Sequence, residues 1–254
     1  MKKRGMALVL ALLLLAGCAP EAEMPPPPST SAETEPCGVY TDWSKLTPYV
    51  PEDRESLYYR TDHHWTTRGA FLAYQALLTA QGETPLEERD FRIETVSEDF
   101  FGTLYSKANL PLIPADTIEA YLPEEENPCT VTYDGGKTVR ESLYDPSYLE
   151  GRDKYAYFLG GNHPLTEITT SVRNGRRLLV IKDSYAHALV PFLTAHYETI
   201  DMVDLRYFKE DLAAWMGDRG ITDVLVLYNA STFASDRQLA AALIQTGEAL
   251  IHIL

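Results

Sequence analysis

The chain has 254 residues, and its 37 acidic residues outnumber its 22 lysines and arginines to give a formal net charge of −15. An acidic excess this large excludes the basic surface that binds the phosphates of nucleic acids, so we expect no nucleic-acid partner. Hydrophobic residues make up 45% of the sequence, which is enough for a large core and excludes global disorder. The 16 tyrosines favour neutral or cationic partners, such as sugars, over phosphates.

The first residues have the composition of a bacterial lipoprotein signal peptide. A basic start at Met1–Arg4 precedes the apolar run Ala7–Ala16, which is too short to span a bilayer by itself. The run leads into Leu15–Cys18, a lipobox pattern in which the cysteine becomes the first mature residue and carries the lipid, such as palmitate. We therefore expect a signal peptide at 1–17, a lipidated Cys18 and an extracytoplasmic protein that the lipid anchors to the cell membrane. An ordinary secretory signal with an incidental cysteine is the alternative.

The segment after Cys18 differs in composition from the remainder of the chain. Residues 18–36 are rich in Pro, Glu, Ser and Thr and predict a disordered tether, which leaves 37–254 as one folded domain. Cys37 and Cys129 are the two remaining cysteines, and an exported protein would pair them in a disulfide or keep two free thiols. Neither has the spacing of metal ligands, so we expect no zinc site built on cysteine. We also expect no cofactor.

The first half of the domain predicts one helix and several short strands. Helical spacing of apolar residues predicts a helix over 70–80, with Thr66 or Thr67 as its N-cap. Strands are expected at 117–122, 129–133 and 155–159, of which the first two begin a small β excursion that turns at Gly135-Gly136. An Asn174-Gly175 turn predicts a hairpin that joins strands 167–172 and 177–182.

Strands and helices alternate in the second half of the domain. Strands are expected at 178–181, 199–203, 224–228 and 249–253, and helices at 186–195, 209–216 and 235–246. The strands at 178–181 and 224–228 are continuous apolar runs, as buried parallel strands are. This alternation predicts an α/β fold of three α/β/α layers, with a mostly parallel sheet and helices on both of its faces.

Polar residues follow the expected strands at the sheet edge where α/β proteins place their sites. These residues are Asp183-Ser184, Asn229 and Gly160-Gly161-Asn162. A serine between a strand and a helix projects from that edge, and a backbone N–H at the helix start can face a developing oxyanion. The simpler interpretation of Ser184 is a helix cap.

A second polar cluster, Asp62-His63-His64-Trp65, lies just before the first predicted helix. An aspartate two residues before a histidine can fix the tautomer of the imidazole, and a nucleophilic serine needs such an oriented base. A structural histidine is the alternative for each of the two. Trp65 is either a core residue or a platform on which a sugar stacks.

The two clusters carry a resemblance to a known family. Residues 59–70 (Tyr-Arg-Thr-Asp-His-His-Trp-Thr-Thr-Arg-Gly-Ala) and 180–185 (Val-Ile-Lys-Asp-Ser-Tyr) resemble the DHHW family of bacterial surface proteins. That family is similar to the SGNH-like domains of alginate O-acetyltransferases, in which an Asp-x-His motif precedes the nucleophilic serine. The resemblance covers roughly residues 40–254 and implies an SGNH-hydrolase-like domain.

The resemblance also implies roles for individual residues. Ser184 matches the nucleophile, and its backbone N–H would contribute to the oxyanion hole. His64 matches the general base, and Asp62 matches the acid that orients it. The family's usual glycine before the Asp-Ser pair is Lys182 here.

Three further residues match family positions less closely. Asn229 and Asn162 are rival candidates for the side chain that completes the oxyanion hole. Arg206 resembles a substrate-binding arginine of the acetyltransferases, with a surface salt bridge as the alternative.

Three function classes follow from these residues. The first is a surface O-acetyltransferase or acetylesterase that acts on an envelope or extracellular glycan or on an acetylated small molecule. A membrane acyl-transfer partner would then supply the acyl group. The second is a catalytically inactive lipoprotein that binds a glycan or a protein partner. The third is a metal phosphoesterase, because Asp62-His63-His64 spells a DHH motif, but no Asp-x-Asp precedes it on a buried strand.

Overall fold

The computed structural model describes residues 7–11, 56–108, 112–217, 219–239 and 241–242. Its strands are β1 (Ala7–Ala11), β2 (Phe91–Phe100), β3 (Asp116–Pro123), β4 (Thr130–Tyr133), β5 (Thr138–Arg140), β6 (Leu165–Thr169), β7 (Arg177–Lys182), β8 (Thr199–Val203) and β9 (Asp223–Leu227). Its helices are α1 (Thr67–Ala80), α2 (Thr103–Ala108), α3 (Ala186–Leu193), α4 (Leu212–Met216) and α5 (Ala230–Ser235). The described part of the chain is thus a mixed α/β fold, as the sequence predicts.

Within the described residues, the central sheet has seven strands in the order β1-β9-β7-β8-β6-β4-β5, and β2 pairs with β3 in a separate sheet. β7 lies between β9 and β8 and is parallel to both, and β1 is parallel to β9. β6 is antiparallel to β8 and β4, and β4 is antiparallel to β5. Three of these six strand pairs are parallel and three are antiparallel, so the prediction of a mostly parallel sheet is wrong. α3 and α4 provide crossovers between β7, β8 and β9, whereas β4, β5 and β6 follow one another without an α-helix between them.

The expected hairpin at Asn174-Gly175 is also wrong. Gly175 has a φ of 72°, so the chain does turn there. However, β6 ends at Thr169 and pairs with β8, whereas β7 pairs with β8 and β9. β8 therefore lies between the two strands that the turn connects and pairs with both of them.

The parallel centre of the sheet has an apolar core on each face. Alternate residues of β7 point to opposite faces. Leu178 and Val180 belong to the cluster that contains the buried residues of α1 and α3. Leu179 and Ile181 belong to the cluster that contains Leu212 and Met216 of α4. Helical residues therefore cover both faces of β7, and this arrangement holds the end of the strand in place.

Residues 155–159 do not form the predicted strand. Residues Lys154–Tyr157 form a 3₁₀ helix, and Tyr155 to Leu159 are all buried. A continuous apolar run indicates burial but does not distinguish a strand from a short helix. The chain leaves this helix through three successive residues with positive φ, namely Leu159, Gly160 and Gly161.

Other predicted helices differ from the structure mainly at their ends. α4 begins at Leu212 rather than 209, because the Asp211 side chain accepts a hydrogen bond from the Ala214 N–H and caps it. Residues 237–239 and 241–242 are helical within the predicted helix 235–246. The predicted strand at 249–253 lies outside the described residues.

The predicted signal peptide and tether fall largely outside the described residues, with Cys18 and Cys37. Ala7–Ala11 is described, and it pairs with β9 in the register Ala7 to Asp223. Signal cleavage therefore stays a prediction, and it would remove this edge strand. Cys129 is partly buried and pairs with no other cysteine among the described residues. Its pairing with Cys37 also stays a prediction, because Cys37 lies outside those residues. Among the described residues, none of the helices has the length and apolar character needed to cross a bilayer.

Candidate active site

The structure brings Asp62, His64 and Ser184 into one hydrogen-bonded chain. His64 Nδ1 lies 2.5 Å from Asp62 Oδ1, and His64 Nε2 lies 2.7 Å from Ser184 Oγ. Ser184 occupies the turn between β7 and α3, and His64 lies three residues before α1. The strand end and the helix start, which are 120 residues apart in sequence, thus place the hydroxyl and the imidazole in direct contact.

The Asp62 carboxylate accepts hydrogen bonds at both oxygens. Oδ1 accepts from the backbone N–H and from Nδ1 of His64. Oδ2 accepts from the backbone N–H of Thr103 at 2.7 Å and from its hydroxyl at 3.0 Å. Thr103 also lies 2.7 Å from His63 Nδ1 through its hydroxyl. No sequence pattern pointed to Thr103, because its role depends on a contact across 41 residues.

Burial and hydrogen bonding determine the charges of this chain. Burial would raise the pKa of Asp62, but hydrogen bonds from His63 and His64 hold that pKa well below its ordinary range. Burial lowers the pKa of His64 below 6.5, although Asp62 opposes the shift. At neutral pH Asp62 is ionised and His64 is neutral. The hydrogen bond to Asp62 assigns the imidazole proton to Nδ1, which leaves the Nε2 lone pair facing Ser184.

Tyr155 contacts both the imidazole and the serine backbone. Its ring stacks on His64 with centroids 3.7 Å apart and an angle of 7° between the planes. Its hydroxyl donates to the Ser184 carbonyl at 3.3 Å, and the residue is 4% exposed. Sequence reasoning placed Tyr155 in a strand and missed this contact, because nothing in a run of buried aromatic residues identifies their partner.

Asp183 fastens the serine turn to the end of β9. Its Oδ1 accepts from the Tyr185 N–H, and its Oδ2 accepts from both the backbone and the side-chain amide of Asn229. The Asn229 amide also donates to Thr232 Oγ1, and its oxygen accepts from the Thr232 N–H. Both amide hydrogens of Asn229 are therefore in use. This geometry gives Asn229 the role of N-cap of α5 rather than the expected oxyanion role.

The backbone of Ser184 and the side chain of Asn162 keep free donors. Neither the Ser184 N–H nor the Asn162 amide donates a hydrogen bond to another described residue. Asn162 is exposed and follows Gly160 and Gly161, whose φ values are 66° and 87°. Those values favour glycine, because a side chain would be strained there. Asn162 thus remains the side-chain candidate for oxyanion binding.

Arg206 is held by a buried carboxylate rather than by a surface partner. Its Nε and Nη2 donate to the two oxygens of Asp204 at 2.8 and 2.6 Å, and Asp204 is fully buried. Nη2 also lies 3.4 Å from Asn162 Oδ1. Arg206 therefore forms a salt bridge, as the alternative expected, but with a buried carboxylate rather than at the surface. The salt bridge fixes a partly exposed guanidinium beside Asn162, at the end of β8.

Trp65 and His63 lie on either side of His64 in the sequence and differ in exposure. Trp65 is 2% exposed, and its Nε1 donates to the Tyr185 carbonyl at 3.0 Å. The His63 side chain is 42% exposed. Trp65 thus packs as a core residue along most of its surface.

Asp62, His63 and His64 also offer atoms that are close enough to hold a metal ion, with one atom of each within 4.8 Å of the others. The hydrogen bonds described above occupy both ring nitrogens of His64 and both oxygens of Asp62. Metal binding would have to break the contacts to Ser184 or Thr103. The donor set therefore fits a hydrogen-bonded Asp-His-Ser chain better than a metal site.

Comparisons with known proteins give a matching family model and similar solved structures. The family model described as DHHW protein matches residues 49–203, more than half of the chain. A solved DHHW family protein from Eubacterium siraeum is 29% identical with a TM-score of 0.64, and the match covers 77% of this chain and 65% of that protein. A comparison with curated proteins gives no match.

Two further solved structures are similar to the chain. Bacillus cereus PatB1 is 26% identical with a TM-score of 0.60, and the match covers 74% of this chain and 67% of PatB1. The O-acetyltransferase domain of Pseudomonas putida AlgJ is 17% identical with a TM-score of 0.33, over 76% of this chain and 62% of that one, too weak a likeness to support an inference. The chain thus spans about two thirds of the length of these solved proteins.

Gly102 is the position at which a small change should displace Asp62. A Cβ at residue 102 would overlap the Cβ and Oδ2 of Asp62. We expect Gly102→Ala to push the carboxylate away from His64 and to lower the free energy of unfolding by ~1–3 kcal/mol. The downfield NMR signal of the His64 Nδ1 proton should disappear. Gly151→Ala is the control, since its Cβ would meet only the Tyr148 carbonyl at 3.5 Å. An unchanged signal in Gly102→Ala would contradict this account.

Two substitutions at Tyr155 separate its ring from its hydroxyl. Tyr155→Phe keeps the stacking on His64 and loses only the bond to the Ser184 carbonyl. Tyr155→Leu loses both contacts. We expect the His64 pKa, measured by NMR titration, to stay nearly unchanged in Tyr155→Phe and to rise towards 6.5 in Tyr155→Leu, because the stacked ring excludes water from the imidazole and burial lowers its pKa. Equal shifts in the two variants would show that the ring does not set the environment of His64.

Proposed function

The chain belongs to the DHHW family, and on that premise we propose that it is an SGNH-like acyl-transfer enzyme, an O-acetyltransferase or acetylesterase of glycans. The contact of Ser184 Oγ with His64 Nε2 at 2.7 Å carries the proposal. A serine hydroxyl is a weak nucleophile unless an oriented base takes its proton, and this contact supplies such a base. Asp62 supplies the third group, which holds the imidazole in the required tautomer.

The first half of the reaction forms an acetyl-serine. Ser184 Oγ attacks the carbonyl carbon of an acetyl ester while its proton passes to His64 Nε2. The tetrahedral intermediate then collapses, the ester bond breaks, and His64 gives the proton to the leaving alcohol. The ionised Asp62 carboxylate stabilises the imidazolium that forms between these two transfers.

The second half of the reaction returns the enzyme to its starting state. An acceptor hydroxyl loses its proton to His64 as its oxygen attacks the acetyl carbonyl carbon. The second tetrahedral intermediate then collapses, the bond between the acetyl carbon and Ser184 Oγ breaks, and His64 returns the proton to Oγ. A sugar hydroxyl as acceptor makes the protein a transferase, and water makes it an esterase. The free donors of the Ser184 N–H and the Asn162 amide would receive the negative oxygen in both halves.

The cellular setting is part of the proposal. The basic start, the apolar run and Cys18 favour a lipoprotein anchored outside the cytoplasm, with its substrate in the envelope or beyond it. A membrane partner would supply the acetyl group. A catalytically inactive lipoprotein that binds a glycan or a partner is the alternative, because the fold alone does not establish catalysis.

Ser184 should be required for any esterase activity. We expect Ser184→Ala to lower the hydrolysis of 4-methylumbelliferyl acetate by about a thousandfold or more, since removal of the nucleophile leaves only the remaining groups of the site. It should also abolish covalent labelling by phenylmethanesulfonyl fluoride, and a structure of PatB1 carries a sulfonyl adduct. Ser235→Ala, at an exposed serine of α5, is the control. Wild-type protein that neither hydrolyses the ester nor becomes labelled would favour the inactive alternative.

The pH dependence of labelling should report the charge of His64. Only the neutral imidazole can take the Ser184 proton, and burial lowers the His64 pKa below 6.5. The labelling rate should therefore rise with pH through a midpoint below 6.5 and stay constant from about pH 7 to 8. A midpoint clearly above 6.5 would mean that His64 is not the group that activates Ser184.

A further inference from the structure

A cavity of about 200 Å³ lies beside the Asp62-His64-Ser184 chain, on the side of β9. Its walls come from three parts of the fold. They are Tyr58 and Trp65 before α1, Tyr185 directly after Ser184, and Tyr228, Asn229 and Ser231 at the end of β9 and the start of α5. Tyr58 and Trp65 face each other in an antiparallel bridge, which places their side chains on the same side of the backbone.

Two residues of the cavity wall are covalent neighbours of the reactive groups. Trp65 follows His64 and Tyr185 follows Ser184 in the sequence. The Tyr185 ring lies 5.2 Å from the His64 ring and 5.4 Å from the Trp65 ring, measured between centroids. A molecule in the cavity would therefore be separated from His64 by about the width of the Tyr185 ring.

The cavity and Asn162, the side-chain candidate for oxyanion binding, lie on opposite sides of Ser184. β7, which leads into Ser184, has β9 on one side and β8 on the other. Arg206 follows β8 and contacts Asn162, whereas the cavity is at the end of β9. An acetyl group on Ser184 with its oxygen towards Asn162 would have its departing or attacking alcohol on the cavity side.

The chemistry of the walls restricts the occupant. Four aromatic rings line the cavity, and none of its lining residues carries a formal charge at neutral pH. Burial raises the pKa of Tyr58 to about 12, so its hydroxyl stays protonated. The hydroxyls of Tyr58 and Ser231 have no side-chain partner in the described part of the chain. Aromatic faces with free hydroxyls suit a molecule with an apolar face and a hydroxyl-bearing edge.

The cavity is also small. Pockets for drug-sized ligands have volumes of ~300–1,000 Å³, so about 200 Å³ suits a single ring rather than an oligomer. We propose that this cavity is the acceptor subsite and holds one neutral sugar ring, with the remainder of the glycan outside. The proposal rests on the proposed function and names the part of the substrate that this surface receives.

The test measures binding in a protein that cannot react. Ser184→Ala is titrated with methyl β-D-glucopyranoside, with its uronic acid methyl β-D-glucuronide, and with choline, and binding is followed by saturation-transfer NMR. Ser231→Trp and, separately, Ala230→Trp are added to this background to fill the cavity mouth. Ser235→Trp is the matched control, one turn further along α5 and outside the cavity lining. Thermal unfolding verifies that each variant is folded.

We expect the glucoside to bind Ser184→Ala, with a Kd raised at least tenfold by either cavity-filling tryptophan and changed less than twofold by Ser235→Trp. The glucuronide should bind at least fivefold more weakly than the glucoside, because no cationic side chain lines the cavity. Unchanged binding in both filled variants, no binding of the glucoside, or tighter binding of the glucuronide or of choline would overturn the proposal. Choline is included because aromatic cages also bind quaternary ammonium groups.

These outcomes are separate from the test of the proposed function. Sugar binding is measured in Ser184→Ala, which cannot react. Ester hydrolysis and labelling are measured in the wild-type protein with no sugar added. Labelling at Ser184 without glucoside binding would overturn the acceptor subsite and leave the acyl-transfer proposal standing. Glucoside binding without labelling would overturn the acyl-transfer step and fit the inactive binding alternative.

Discussion

The Asp62 carboxylate is 3% exposed, and it stays ionised because hydrogen-bond donors surround both of its oxygens. A buried carboxylate without such donors would become protonated and would no longer orient an imidazole. Two of the donors belong to His64 and two to Thr103. One charged group therefore fixes the tautomer of the base and joins its loop to the start of α2. The position of His64, and with it the contact to Ser184, depends on this bond.

Other buried aspartates hold the neighbouring loops in the same way. Asp116 accepts from the backbone N–H groups of Arg60 and Thr61, directly before Asp62. Asp183 ties the serine turn to the end of β9, and Asp204 holds Arg206 at the end of β8. Each carboxylate accepts hydrogen bonds from backbone or side-chain donors of a loop that does not belong to a helix or a strand. A buried carboxylate without hydrogen-bond donors is energetically unfavourable. The position of each loop therefore depends on the carboxylate that it surrounds.

The sequence predicts the reactive residues better than it predicts their surroundings. Asp62, His64 and Ser184 stand in two short motifs whose residue types belong together chemically, so their proximity could be expected. Thr103 and Tyr155 could not, because threonine and buried tyrosine are common and only the folded chain selects their partners. Asn229 shows the opposite error. Its place after a strand suggested an oxyanion donor, whereas the nearby Asp183 uses its amide.

The fold shows a similar contrast. The sequence predicts which strands are buried but not how the strands are arranged in the sheet. The apolar runs at 178–181 and 224–228 correctly indicated central strands, because continuous hydrophobicity reports burial on both faces. It does not indicate in which direction a strand runs or which strands lie beside it. The antiparallel half of the sheet follows from connections without a crossover helix, as in the β4–β5 hairpin at Asp134 to Gly136. The Asn174-Gly175 prediction failed for a related reason. The two strands are neighbours in the sequence but not in the sheet, where β8 lies between them.

Lys182 stands where the resembling family usually has glycine, and its contacts explain how the serine turn accepts it. The side chain is 1% exposed, and its Nζ lies 2.7 Å from His187 Nε2 and 3.5 Å from Asp204. Burial lowers the Lys182 pKa to about 8, and Asp204 opposes that shift. The cation therefore compensates Asp204 together with Arg206, whereas an uncharged residue would leave that carboxylate with one cation fewer. The bulk of the lysine fills the interior behind Ser184, and Asp204 holds both this cation and the arginine beside Asn162.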